Sequence, residues 1–142
     1  MNKQTIKALE ILKRLEQDKI EALTLKINLI QKNIDDTLTS KKLALEKMEK
    51  EGVYADEVGA YLTASNFSKA LQDKILILEE DVERMNEDLK TLRADLGQYY
   101  TRLKTFEILG ERGKHAIKIQ QDYEEQLVLD EIATTTFLRK NG

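Results

Sequence analysis

From Ile6 onward, apolar side chains return at steps of three and four: Ile6, Leu9, Leu12, Ile20, Leu23, Ile27, Ile30 and Ile34. The line then drifts to Leu38, Leu45 and Met48. Leu15 and Leu29 widen it, and Lys13 and Glu16 interrupt it. The period is helical and nothing inside the stretch breaks a helix, so a first helix is predicted over about residues 5–50. Thr5 is the expected N-cap and Gly52 the expected C′ residue, with Lys47 and Lys50 near the negative end of the macrodipole. Residues 51–66 hold Gly52, Gly59, Ser65 and Asn66, but also Val53, Val58, Tyr61 and Leu62. That mixture is too apolar for a free linker, and it predicts a connection containing a short helix near Ala55–Leu62.

A longer stripe begins at Leu71. It runs Leu71, Ile75, Leu78, Val82, Met85, Leu89, Leu92, Leu96, Tyr99, Leu103, Phe106, with steps of four and three alternating without a miss. A sustained 3.5-residue repeat means a left-handed supercoil against another helix. Lys74, Glu79, Asp81, Asp88, Arg93, Asp95 and Arg102 form the charged border that such a seam usually carries. Beyond Phe106 the next seam positions are Gly110 and Gly113, which offer no side chain. Ile117 returns, and Gln120 and Glu124 are polar. Apolar residues persist out of register at Ala116, Ile119, Tyr123, Leu127, Ile132 and Phe137. A second helix over about residues 67–138 is predicted, with a weak point at the two glycines, each costing about 1 kcal/mol relative to Ala.

Lengths decide the arrangement. Helices of roughly 45 and 70 residues measure ~68 and ~105 Å at 1.5 Å per residue. Folded back as an antiparallel hairpin, they set Met48 near Leu71 and Ile6 near residues 110–113. The seam of the second helix then ends where the first helix runs out. The expectation is therefore all-α: an antiparallel two-helix coiled-coil hairpin, one elongated unit, with a short helical connection and an extended C-terminal helix. The stretch from Lys114 to Leu138 projects alone. A solitary helix of that length is marginal in water, so its apolar residues call for either a partner or a fold-back of the N-terminus.

Composition agrees with long helices. Of 142 residues, 35% are charged and 6% aromatic, with no proline, cysteine or tryptophan and six glycines. A turn-rich sandwich or barrel would spend prolines and glycines on its turns. The net charge of −3 gives no basic excess for nucleic acid. Without cysteine there is no disulfide, thiolate nucleophile or Cys-ligated metal. The start, Met1 to Lys7, does not read as a secretory signal, and no uninterrupted apolar stretch is long enough to span a membrane, so a cytoplasmic location is expected.

Candidate chemistry is sparse. Gly110-Glu-Arg-Gly113-Lys114 lacks the spacing of a phosphate loop, has His115 where the hydroxyl residue belongs, and follows no strand. His115, the only histidine, reads as an exposed helical residue. Asp35/Asp36, Glu79/Glu80 and Glu124/Glu125 are neighbours that diverge by about 100° around a helix. They read as solvated face, and no convergent metal ligands are visible. Two helices offer little concave volume for a substrate. No catalytic residue, cofactor or metal is expected.

Several segments in order resemble a known family. Leu9-Glu-x-Leu12-Lys-x-Leu15 looks like its opening, and Phe67-x-x-x-Leu71 leads into its unbroken seam. Phe106-x-x-Leu109-x-Glu111-Arg112 follows, then Asp130-Glu131-x-Ala133 and the basic ending Arg139-Lys140. Over nearly its whole length the chain resembles the flagellar export protein FliJ family, stalk components of type III protein export. The resemblance implies an antiparallel coiled coil similar to the stalk subunit of rotary ATPases, and a non-enzymatic role. It implies contact with the hexameric flagellar export ATPase, with the cytoplasmic domain of the export gate, and with export chaperones, at the cytoplasmic face of the inner membrane. By the same resemblance Leu109, Glu111, Arg112, Asp130, Glu131 and Ala133 are the ATPase-side candidates, and Phe67 and Leu71 lie near the gate contact. Each also has a plainer reading: Leu71 as seam packing, Leu109 as the end of the seam, Asp130 and Glu131 as solvated face. The chain departs from the family at the end of the first helix, where tyrosines are common and it has Met48 and Glu51, with Tyr54 displaced. A stalk protein of a virulence injectisome and a generic coiled-coil adaptor are the alternatives.

Overall fold

The computed structural model describes residues 2–53 and 58–141. Two helices account for them, α1 over Lys3–Val53 and α2 over Val58–Asn141, and no strand occurs among these residues. The long helical repeat is thus realised as two α-helices packed on each other, an all-α hairpin.

The helix ends differ from the expected ones. Asn2, not Thr5, caps α1. Its Oδ1 accepts from the Thr5 backbone N–H at 2.8 Å and from the Thr5 hydroxyl at 2.9 Å. Ile6 N–H donates to the Asn2 carbonyl at 3.2 Å, the first bond of the helix. An Asx side chain satisfying the third amide of the helix is the standard device for an otherwise orphaned donor. Gly52 lies inside α1, and no described glycine has a positive φ, so it makes no left-handed stop there. Residues 58–66, expected in the connection, are the first turns of α2. Once nucleated, a helix gains a bond for each residue added, and isolated Ser, Asn or Gly residues do not stop it. Residues 54–57, with Tyr54 and the start of the expected short helix, lie outside the described residues.

The chain divides into two compact units, each taking a stretch of both helices. The unit over residues 21–97 has its core at Ile27, Ile34 and Leu89, against which Leu23, Ile30, Val82, Met85, Leu92 and Leu96 pack. A second cluster joins Ala44, Leu71 and Ile75, with Met48 beside it. Lys41 Nζ reaches Glu79 Oε1 at 3.1 Å. As numbers rise along α1 the facing numbers fall along α2, so the helices run antiparallel.

The unit over residues 1–20 and 98–142 is antiparallel by the same test. Glu10 Oε1 meets Lys114 Nζ at 3.1 Å, and Lys13 Nζ lies 4.0 Å from Glu107 Oε1. The Lys19 ammonium stands 5.7 Å from the centre of the Tyr99 ring, and the Arg102 guanidinium 5.8 Å from it. Ile6 and Gly113 are buried, and Leu9, Leu103, Phe106, Gly110 and Ile117 half-buried. The glycines thus do not end the packing. A backbone without side chains continues the seam of α2 for two more steps, up to Ile117.

All eleven apolar seam positions of α2 are buried or half-buried, as expected. The inward line of α1 is different from the one the leucines suggest. It runs Ile6, Leu9, Lys13, Glu16, Ile20, Leu23, Ile27, Ile30, Ile34, Thr37, Lys41, Ala44, Met48, again in steps of three and four, and every member is buried or half-buried. Leu12, Leu15, Leu29, Leu38 and Leu45 are exposed. The supercoil holds one register against α2, and that register places four polar residues inward and several leucines outward. Lys13 and Lys41 answer by reaching acidic partners on α2. Ala44 is small enough to let α1 approach Leu71 and Ile75 closely. Glu16 is the one misfit. It is 6% exposed, Lys19 contacts its Oε1 at 3.5 Å, and its Oε2 has no partner.

Two stability outcomes follow from this packing. Leu89→Ala removes the most buried core side chain and should destabilise the fold by about 2–4 kcal/mol in a urea melt. Glu16→Leu replaces an imperfectly satisfied buried carboxylate with a seam residue and should stabilise it by about 1–2 kcal/mol. A loss of stability in the second variant would show that Glu16 is better satisfied in solution than its geometry indicates.

Candidate interaction surface

Past Ile117, α2 keeps its helix but is no longer buried against α1, although Lys118 and Gln121 still border an open groove with Lys3, Ile6 and Lys7. Every described residue from Lys118 to Asn141 is exposed. The segment is apolar all the same: Ile119, Tyr123, Leu127, Val128, Leu129, Ile132, Phe137 and Leu138 all stand at half exposure or more. Water-exposed apolar residues at this density mark a surface built for contact rather than for solvent. What holds the helix locally is polar and short-range. Gln120 Nε2 donates to Glu124 Oε1 at 3.2 Å and Gln126 Nε2 to Asp130 Oδ1 at 3.0 Å, both one turn apart. Asn141 Nδ2 donates to the Phe137 carbonyl at 3.1 Å, and Arg139 and Lys140 sit favourably in the last turn.

The candidate residues can now be placed. Leu109, Arg112, Asp130 and Ala133 fall on one stripe of α2, at steps of three and four through Ala116, Ile119, Tyr123 and Gln126, continuing to Phe137 and Lys140. All ten are exposed. Arg112 and Asp130 are separated by about five helical turns, ~27 Å, and so point the same way. Neither makes an ion pair among the described residues. Glu111 and Glu131 are also exposed but lie off this stripe. The stripe stands about a quarter-turn from the seam that packs on α1, so the two faces of α2 coexist between residues 109 and 117. Measured against the first seam alone, the apolar residues of the tail are out of register; Ala116, Ile119, Tyr123 and Phe137 share a second stripe instead.

In the other unit, Phe67 is 39% exposed and available for contact, whereas Leu71 is 8% exposed and committed to the cluster with Ala44 and Ile75. The plainer reading of Leu71 as packing matches its position.

Little else offers chemistry. Surface grooves occur beside Leu9, Lys13, Phe106 and Gly110, and beside Gln121, Glu125 and Leu129. Among the described residues no three His, Cys, Asp or Glu side chains gather as a metal site. His115 is exposed. No described helix is long and apolar enough to cross a membrane.

An antiparallel helical hairpin whose longer helix carries an unpaired, apolar C-terminal face defines a class of coiled-coil proteins that work by contact. The chain belongs to the flagellar FliJ protein family, whose model matches residues 4–142. No curated protein and no solved structure matches it. Membership makes it a stalk-type protein related to flagellar export.

The unpaired tail has a direct dynamic consequence. Amides from residue 122 to the C-terminus should exchange with deuterium several orders of magnitude faster than those of residues 75–106, because a lone helix opens at little cost. Equal protection in the two stretches would mean that the tail is already covered in the free protein.

Proposed function

We propose that this chain couples the hexameric flagellar export ATPase to the export gate, with the C-terminal part of α2 entering the ATPase ring. The observation that carries this reading is the run of exposed apolar residues from Ile119 to Leu138 on a helix stretch that no other described residue covers. Such a helix needs a concave, largely apolar socket, and the central opening of a ring of subunits is one. Leu109, Arg112, Asp130 and Ala133 share the stripe that such a socket would touch, and Glu111 and Glu131 lie beside it. In this reading Phe67 makes the contact to the cytoplasmic domain of the gate, and Leu71 holds the hairpin beneath it. Export chaperones use the remaining exposed helix surface, and the protein sits with this apparatus at the cytoplasmic face of the inner membrane.

The coupler needs no chemistry of its own. A ring passing through successive nucleotide states presents different contacts to the tail, and a ligand biases only those states that it distinguishes. Binding must therefore change the distribution of ring states, which is read as a change in ATP hydrolysis.

The full chain should co-purify with its cognate ATPase and raise its hydrolysis rate. Tyr123→Asp combined with Leu127→Asp should weaken binding by about tenfold or more, since both side chains would be buried anchors in the complex. Binding and stimulation that survive both this pair and removal of residues 118–142 would contradict the reading. Phe67→Ala should weaken binding to the gate domain while leaving the hairpin's melting and its ATPase binding unchanged.

A further inference from the structure

We propose that the free protein self-associates through its tail, two copies of α2 pairing antiparallel along the stripe that begins at Leu109, about a two-fold axis at Gln121. Charge and size select this pairing. Place two copies of the stripe antiparallel about residue 121 and its members meet in fixed layers. Leu109 faces Ala133 of the second copy, a large residue on a small one. Ile119 faces Tyr123, and Ala116 faces Gln126. Arg112 faces Asp130 on each side of the axis, so both charges between Leu109 and Ala133 are neutralised at once. Phe137 and Lys140 fall opposite Thr105 and Arg102 of the second copy, a like-charge layer, so the pairing is confined to residues 109–133.

Other pairings fail the same test. A parallel dimer sets Arg112 on Arg112 and Asp130 on Asp130. An antiparallel dimer shifted by one heptad toward the C-terminus sets Asp130 on Ile119 and Arg112 on Phe137. Like charges or unpaired charges in a seam are strongly disfavoured, and this is how coiled coils choose orientation and register. All eight residues are exposed in the isolated chain, and neither Arg112 nor Asp130 has an ion-pair partner to give up. Asp122 flanks the axis and would face its own copy, a like-charge contact that keeps the association modest.

The inference stands on this stripe alone and does not depend on the ATPase reading. If both hold, the dimer covers the face that would enter the ring, and the ring must displace one copy to bind the other.

Sedimentation equilibrium of the full-length chain over a range of concentrations tests it. A reversible monomer–dimer equilibrium is expected. Arg112→Asp alone and Asp130→Arg alone should each weaken it by about tenfold or more, as like charges then meet across the interface. The doubly swapped protein, R112D with D130R, should regain the wild-type equilibrium, and Asp122→Asn should tighten it. Circular dichroism of each variant checks that the hairpin is intact. A chain that stays monomeric at every concentration, or a double swap that fails to restore association, overturns the proposal.

Discussion

The structure depends on one constraint: an unbroken 3.5-residue apolar line on α2 must be covered along its length. A fully buried Leu or Ile contributes about 1.5–3 kcal/mol. Of the eleven apolar positions before the glycines, Leu71, Ile75 and Leu89 are buried and the other eight half-buried. The chain has no cysteine for a disulfide and no metal-ligand set among the described residues to substitute for this burial. Coverage therefore comes from α1, and the length of α1 decides how far along α2 it reaches. The tail is what lies beyond that reach.

The constraint also explains why α1 tolerates polar residues facing inward. Register is chosen by the stronger seam, that of α2, and α1 adapts to it. Lys13 and Lys41 turn their positions into links with Glu107 and Glu79. Pairs this exposed are worth about 0–1 kcal/mol each, so their value lies less in stability than in opposing a slipped alignment, which would leave the carboxylates without them. Glu16 marks the layer where this accommodation is incomplete.

How much of this could be read in advance varies along the chain. The seam of α2 was fully legible, because every position from Leu71 to Phe106 repeats the same signal and no second apolar stripe competes with it. In α1 the sequence offers more leucines than one face can hold. Leu12, Leu38 and Leu45 look as eligible as Lys13, Thr37 and Ala44, and only the partner helix decides between them. Gly110 and Gly113 lack side chains, and in the sequence they read as the end of packing. Burial of Gly113 shows that close backbone approach serves there instead. At the helix ends the start was misplaced by three residues, since Asn2 and Thr5 are both capable caps. Of the candidate site, the unpaired tail was legible as surplus length. Its organisation into a second stripe, offset from the first, was not, because that stripe mixes Arg112, Gln126 and Asp130 with apolar residues.

The antiparallel pairing of α1 with α2, on which the rest depends, can be measured within one unit. Spin labels at Gln17 and Lys104, both exposed, lie on facing stretches of the two helices. Double electron–electron resonance on labelled protein, diluted with unlabelled chain to remove signals between molecules, should give a narrow distribution near ~20 Å, as expected for helices 8–10 Å apart carrying label arms. A distribution centred beyond roughly 50 Å, the separation of helices that do not fold back on one another over this stretch, would contradict it.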